Sequence, residues 1–172
     1  MSIGPLFFLS AWAEHRPGRV FRPGLSCRHM DIAPHIIQEL ERVTAESSWN
    51  PQYGAMLVKD GHILASGFAY KPLNKQQLAD HPLLGIHAEE AVLMSALKNG
   101  ADIRGADLYL MGRREDGSVR YSDHSYCCVV CSRLLLQSGV SGIVHPTAEG
   151  WILITPNEMF EQAVQRVRDG RL

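Results

Sequence analysis

No apolar run in the chain approaches the ~18 residues that a membrane-spanning helix requires, which argues against an integral membrane protein. Nor is there an excess of charge of either sign: 17 Lys and Arg stand against 18 Asp and Glu, a formal net charge of −1. Leaving out residues 1–29 shifts the balance to 13 basic and 17 acidic residues, a formal charge of −4. Neutralised phosphates supply most of the affinity for a nucleic-acid backbone, so a polynucleotide is not the expected partner. Cysteine is sparse as well. There are only four, three of them between positions 127 and 131, a crowding that suits metal binding in a reducing, cytoplasmic compartment rather than a disulfide framework. Internal repeats and low-complexity segments are also missing.

What is present suffices for one folded domain: 172 residues, 45% of them hydrophobic. The unit is expected to occupy residues 30–172. Residues 1–29 read as an arm or targeting-like segment. Pro5 to Ala13 is apolar and ends Ala11-Trp12-Ala13, like a signal-peptide cleavage site, yet no Lys or Arg precedes it. The stretch Glu14 to His29 carries four Arg and one acid and lacks apolar periodicity.

Within the domain, Asp31 is placed to cap a helix in which Ile32, Ile36, Leu40 and Val43 recur at helical spacing. Tyr53–Lys59 and His62–Phe68 read as strands joined by Asp60-Gly61, a strong hairpin signal. Helices are expected over Ala88–Lys98, stopped by Asn99-Gly100, and over Cys128–Gln137, stopped by Ser138-Gly139. Ala106–Met111, Val140–His145 and Trp151–Ile154 read as further strands. Thr155-Pro156-Asn157-Glu158 is a capping-box pattern opening a last helix, with Met159, Phe160, Ala163, Val164 and Val167 as its buried side. Alternation of strands and helices implies crossovers, hence an α/β fold: a three-layer α/β/α domain on a five-stranded mixed sheet.

Two short segments carry the chemistry. His87-Ala88-Glu89 and Cys128-Val129-Val130-Cys131 each open an apolar helical run. A zinc ion that does chemistry takes three protein ligands and leaves one position open. His87, Cys128 and Cys131 are candidates for those ligands, and two thiolates with a neutral imidazole cancel the charge of Zn²⁺. Such a site lowers the pKa of a water from about 16 toward 7. Glu89 would not bind metal but would shuttle a proton between that water and a substrate, a role suited to an enclosed carboxylate. Alone, H-x-E is common on solvated helices and C-x-x-C serves redox pairs and structural zinc; their order and helix-opening context make the pair informative.

The combination of H-x-E with C-x-x-C is the signature of zinc-dependent base deaminases, and the chain resembles the cytidine and deoxycytidylate deaminase superfamily. The resemblance runs from about Ser47 to Val144, through Asn50-Pro51-Gln52-Tyr53-Gly54-Ala55 of the hairpin and Ser132-Arg133-Leu134-Leu135 after the second motif. It implies hydrolytic deamination of a cytosine-type nucleoside or nucleotide, one catalytic zinc, small-molecule rather than polymer or membrane partners, and a homo-oligomer, dimer or tetramer. Other readings in reach are a guanine or riboflavin-pathway deaminase, slightly favoured by Asn50-Pro51, and a non-catalytic zinc-binding module.

The chain departs from the family at three places. Cys127 stands where Pro usually precedes the first zinc cysteine; the spacing favours Cys128 and Cys131 as ligands and Cys127 as a small buried side chain. Ala69 follows Gly67-Phe68 where the family carries a substrate-holding Asn or His, so Asn50 or Asn74 is the expected replacement. The 41 positions separating His87 from Cys128 exceed the family's usual gap, through an insertion over Gly112–Ser125 that includes Arg113, Arg114, Arg120, Asp123 and His124. This insertion is expected to cover the pocket, and a cluster of its arginines would favour a nucleotide. A flat base also needs stacking partners, for which Tyr126 is the first candidate and Phe68 another. The N–H of Ala88, and that of Cys128 or Val129, are expected to position water or substrate.

Overall fold

A computed structural model describes residues 28–71, 85–121 and 127–170. Seven strands and four helices follow one another as β1 (Arg28–Met30), α1 (Pro34–Ala45), β2 (Gln52–Lys59), β3 (His62–Phe68), α2 (Ala88–Lys98), β4 (Asp107–Arg113), β5 (Val119–Arg120), α3 (Val129–Ser138), β6 (Gly142–Thr147), β7 (Gly150–Ile154) and α4 (Pro156–Arg168). They build one sheet in the order β1-β7-β6-β4-β2-β3, with β5 on β4. Only β4 and β6 run parallel, joined by the crossover through α3; every other pairing is antiparallel, so the sheet is mixed.

Local chemistry explains the best-defined pieces. Asp60 (φ 51°) and Gly61 (φ 77°) both adopt the left-handed backbone that a two-residue hairpin turn needs. Thr155 and Glu158 close a reciprocal cap on α4: Glu158 N donates to Thr155 Oγ1 at 3.2 Å and Thr155 N to Glu158 Oε2 at 2.8 Å.

Period-two alternation along β2 and β4 divides the core. Ala55, Leu57, Leu108 and Leu110 face a cluster with Ala88, Val92, Cys131, Leu135 and Met159, so α2, α3 and α4 cover one side. Met56, Val58, Tyr109 and Met111 face Ile36, Leu40 and Val43 of α1 on the other. These are the expected three layers.

Among the described residues the sheet has seven strands rather than five. β1 spans Arg28–Met30 and pairs with β7, while β5 spans Val119–Arg120 and pairs with β4. Both are too short for an alternating pattern, and exist because a neighbouring edge offers hydrogen bonds. The start of α1 also differs. Its N-cap is Ala33 rather than Asp31, because Pro34 fits the first turn and holds the residue before it extended (ψ 133°). Ile32 therefore precedes the helix. On α4, Met159 and Ala163 are buried, but Val167, in the last turn, is exposed.

One close approach sets α2, and with it the site. A Cβ on Gly67 of β3 would stand 2.4 Å from Val92 N and 2.7 Å from Ala91 C, both backbone atoms of α2. Gly67→Ala must push the helix off the sheet, and is expected to cost about 1–3 kcal/mol. A thermal melt should show a midpoint lowered by several degrees; an unchanged midpoint would refute this packing.

Candidate metal centre and active site

Both motif segments meet at helix starts. His87 is the N-cap of α2 and Cys128 the N-cap of α3, each with extended backbone (ψ 157° and 166°). Glu90 Oε2 accepts from His87 N at 3.0 Å, fixing the first turn. Cys131 N donates to Cys128 Sγ at 3.4 Å, which folds both sulfurs onto one turn. Nδ1 of His87 then lies 3.5 Å from Cys128 Sγ and 3.4 Å from Cys131 Sγ. A tetrahedral zinc with ordinary Zn–S and Zn–N bonds would separate its nitrogen and sulfur donors by about 3.6 Å. The donor set therefore fits zinc in both chemistry and spacing. Among the described residues these three form the one cluster of potential metal donors, all within 4.8 Å of one another.

The donors share protons in a specific way. Hydrogen bonding to Cys128 chiefly pushes the His87 imidazolium up to about 9, against the opposing effect of burial. The hydrogen bond from Cys131, with help from His87, pulls the Cys128 thiol down to about 4. Cys131, the donor in that pair and buried, is raised. At pH 6 the metal-free site thus holds an imidazolium, a thiolate and a thiol, whereas zinc takes a neutral imidazole and two thiolates. Zinc titration in weak buffer at pH 6 should release about two protons, from His87 and Cys131. Release of one would mean that His87 is already neutral.

Glu89 sits in the first turn of α2 and is only 6% exposed. Burial raises its pKa, opposed by His87 and by a hydrogen bond from Cys127. Cys127 is fully buried and its thiol is pushed well above the ordinary value, by burial first and then by the Glu89 charge. It occurs outside the donor cluster, against the carboxylate instead.

The other expected contacts are distributed unevenly. Ala88 is fully buried as the first residue of α2, where helix N–H groups lack intrahelical acceptors. Phe68 is not brought to the metal donors. Gly67 faces α2, so alternation turns Phe68 to the α1 side, where it packs on that core and meets Tyr70 edge-on at 6.1 Å. Asn50 is exposed; its Nδ2 donates to Glu115 Oε2 at 3.1 Å, and it lines an open groove of about 330 Å³ with Trp49, Gln52, Arg113, Arg114 and Gly117. Asn74, Tyr126, Asp123 and His124 lie outside the described residues.

The described part of the insertion is a hairpin rather than a loose cover. Arg113 Nε donates to Gly117 O at 2.9 Å and Arg114 Nη1 to Val119 O at 3.1 Å, so these two arginines brace the turn. Arg120 behaves differently and reaches Tyr53.

Two further side chains adjoin the site. Trp49 meets the His87 ring edge-on, 5.8 Å between centroids, and has room only because residue 85 is glycine: a Cβ there would lie 1.7 Å from Cζ2. Arg166 of α4 donates Nη2 to Cys127 O at 2.7 Å, tying the last helix to the residue before the cysteine motif.

Metal donors at two helix starts over a mixed sheet, with a buried carboxylate beside them, define a class of metal-binding α/β/α domain. Residues 28–147 match the family described as the cytidine and deoxycytidylate deaminase zinc-binding region, and the chain belongs to that family. No curated protein matches the chain. Among solved structures it is similar to cytidine deaminase from Burkholderia pseudomallei, at 17% identity and a TM-score of 0.53, covering 74% of this chain and 96% of that one. It is also similar to dCMP deaminase from the cyanophage S-TIM5 in complex with dCMP and dUMP, at 19% identity and a TM-score of 0.50, covering 77% and 95%. A bifunctional deaminase/reductase from Thermotoga maritima aligns at 25% identity and a TM-score of 0.44, covering 78% of this chain and 33% of that one. The first two likenesses show the fold. No helix among the described residues is long and apolar enough to cross a membrane.

Proposed function

We propose that the chain is a zinc-dependent hydrolase that deaminates a cytosine-type nucleoside or nucleotide and releases ammonia. The observation that carries this reading is the enclosed carboxylate of Glu89, two residues from His87 and electrostatically coupled to both His87 and Cys128.

His87, Cys128 and Cys131 would hold the metal, which supplies Lewis acidity that brings the pKa of a water toward 7. Glu89 takes a proton from the attacking water and delivers it to the ring nitrogen, so that the water oxygen bonds to the ring carbon bearing the amine. It then passes the second proton to the amine as the C–N bond breaks and ammonia leaves. Burial suits Glu89 to this work, because raising the pKa of the carboxyl makes it hold a proton more readily than an exposed carboxylate does. The N–H groups of Ala88 and Val129, at the starts of α2 and α3, supply dipoles toward the developing negative charge.

Exposed Met94 and Leu97 on α2, with Val130 and Leu134 on α3, support a homo-oligomer, dimer or tetramer. The crowding of three cysteines between positions 127 and 131, which suits metal binding, fits a reducing compartment such as the cytoplasm.

The test is an ammonia-release screen of the zinc-loaded protein against cytidine, deoxycytidine, their monophosphates, cytosine, guanine and adenosine. Turnover of a cytosine compound supports the reading. Turnover of guanine alone moves the substrate to another heterocycle, and silence with zinc bound favours a non-catalytic module.

A further inference from the structure

Strand register brings Arg120 to a residue 67 positions away in the chain. Tyr53 of β2 pairs with Gly112 of β4, and Gly112 pairs with Arg120 of β5, so the three positions lie side by side across the sheet. Tyr53 has the alternation of Ala55 and Leu57, and therefore faces the side of α2 and the metal donors. The middle position has no side chain. Across it the Arg120 guanidinium reaches the Tyr53 hydroxyl and stands 5.7 Å from the centre of its ring.

Arg166 of α4 is held by the carbonyl of Cys127, whose thiol bonds Glu89. The charges of Arg120, Arg166 and Glu89 all act on the Tyr53 hydroxyl, whose pKa is raised by burial above all. Arg120 is exposed, and among the described residues no carboxylate pairs with it. Arg113 and Arg114 are committed to the hairpin and hold β5 in register.

We propose that Arg120, Arg166 and Tyr53 form an anion subsite beside Glu89 that receives the phosphate of a nucleotide substrate. The inference rests on the deaminase reading above and narrows its substrate to the phosphorylated form. Two guanidiniums match a phosphate monoester of about −1.5 to −2 charge, and their planar forks suit its oxygens. The exposed side of Arg120 suits a group at the solvent end of the substrate, with the base directed inward to Glu89.

The experiment compares kcat/KM for deoxycytidine monophosphate and deoxycytidine in zinc-loaded wild type, Arg120→Ala, Arg120→Lys and the charge-matched control Arg104→Ala. Inorganic phosphate is titrated calorimetrically into each. The expected result is a wild-type preference for the monophosphate that falls about 10- to 100-fold in Arg120→Ala, mainly through KM, and less in Arg120→Lys. Arg104→Ala should keep the wild-type ratio. Equal ratios in wild type and Arg120→Ala would overturn the subsite and leave the deaminase reading standing. If neither compound turns over, phosphate binding that weakens in Arg120→Ala upholds the subsite while the deaminase reading fails. Phosphate binding unchanged by that substitution overturns both. Arg120 is at the surface, and matching thermal melts verify that the variants are folded.

Discussion

Glu89→Gln is expected to lower kcat by about 10²–10⁴-fold while zinc content stays at the wild-type level. The amide keeps the size of the carboxylate and cannot take a proton from water, so the loss falls on proton transfer rather than on packing. Stability should respond in the opposite direction. Burial raises the folded-state pKa of Glu89 above its ordinary 4.5, so folding binds that proton more tightly than the unfolded chain does. The contribution is complete below the unfolded value and is lost as pH rises through the folded one, which makes the ionised carboxylate a cost at neutral pH. Metal-free Glu89→Gln should therefore melt no lower than wild type at pH 7, and the gap should close as pH falls toward 4.5. Loss of activity with loss of zinc, or a lower melting point, would assign Glu89 a structural place instead.

Cys131→Ala is expected to abolish both zinc retention and turnover. Cys131 is the third residue of α3 and only 1% exposed, so no neighbouring loop can replace its sulfur without reorganising the helix start. Cys127 faces Glu89 and is no substitute. A ligand held at a thousand times its dissociation constant stabilises a fold by about 4 kcal/mol, or about 10 °C in a domain of this size. A chelator should lower the wild-type melting point by roughly that amount. It should leave Cys131→Ala unmoved. A variant that keeps zinc at one ion per chain, or a wild type indifferent to the chelator, would sink the assignment.

Where the sequence was most legible, the signal was short-ranged. Asp60-Gly61 supplies two left-handed residues in succession, Thr155 and Glu158 are one turn apart, and Cys128 and Cys131 share a helix start. Each involves a few consecutive residues whose preferences do not depend on the rest of the chain. The His87 and Cys128 motifs were readable for the same reason, since each marks its own helix. The start of α1 was misplaced because Asp31 is a good cap in isolation, while Pro34 decides the backbone of its neighbour. Phe68 is a stacking candidate by its aromatic ring alone; strand alternation turns it to the α1 side of the sheet, away from the metal donors.

By itself the sequence determined the secondary elements that close on local bonds, the donor chemistry of His87, Cys128 and Cys131, and the carboxylate beside them. Tertiary structure decided what surrounds them. Arg120 meets Tyr53 across 67 positions of chain, and Arg166 meets Cys127 across 39. Such contacts follow from strand register and helix packing, which are settled by the whole core at once. A one-residue change of register would turn Arg120 to the α1 side, with every local preference of the hairpin still satisfied.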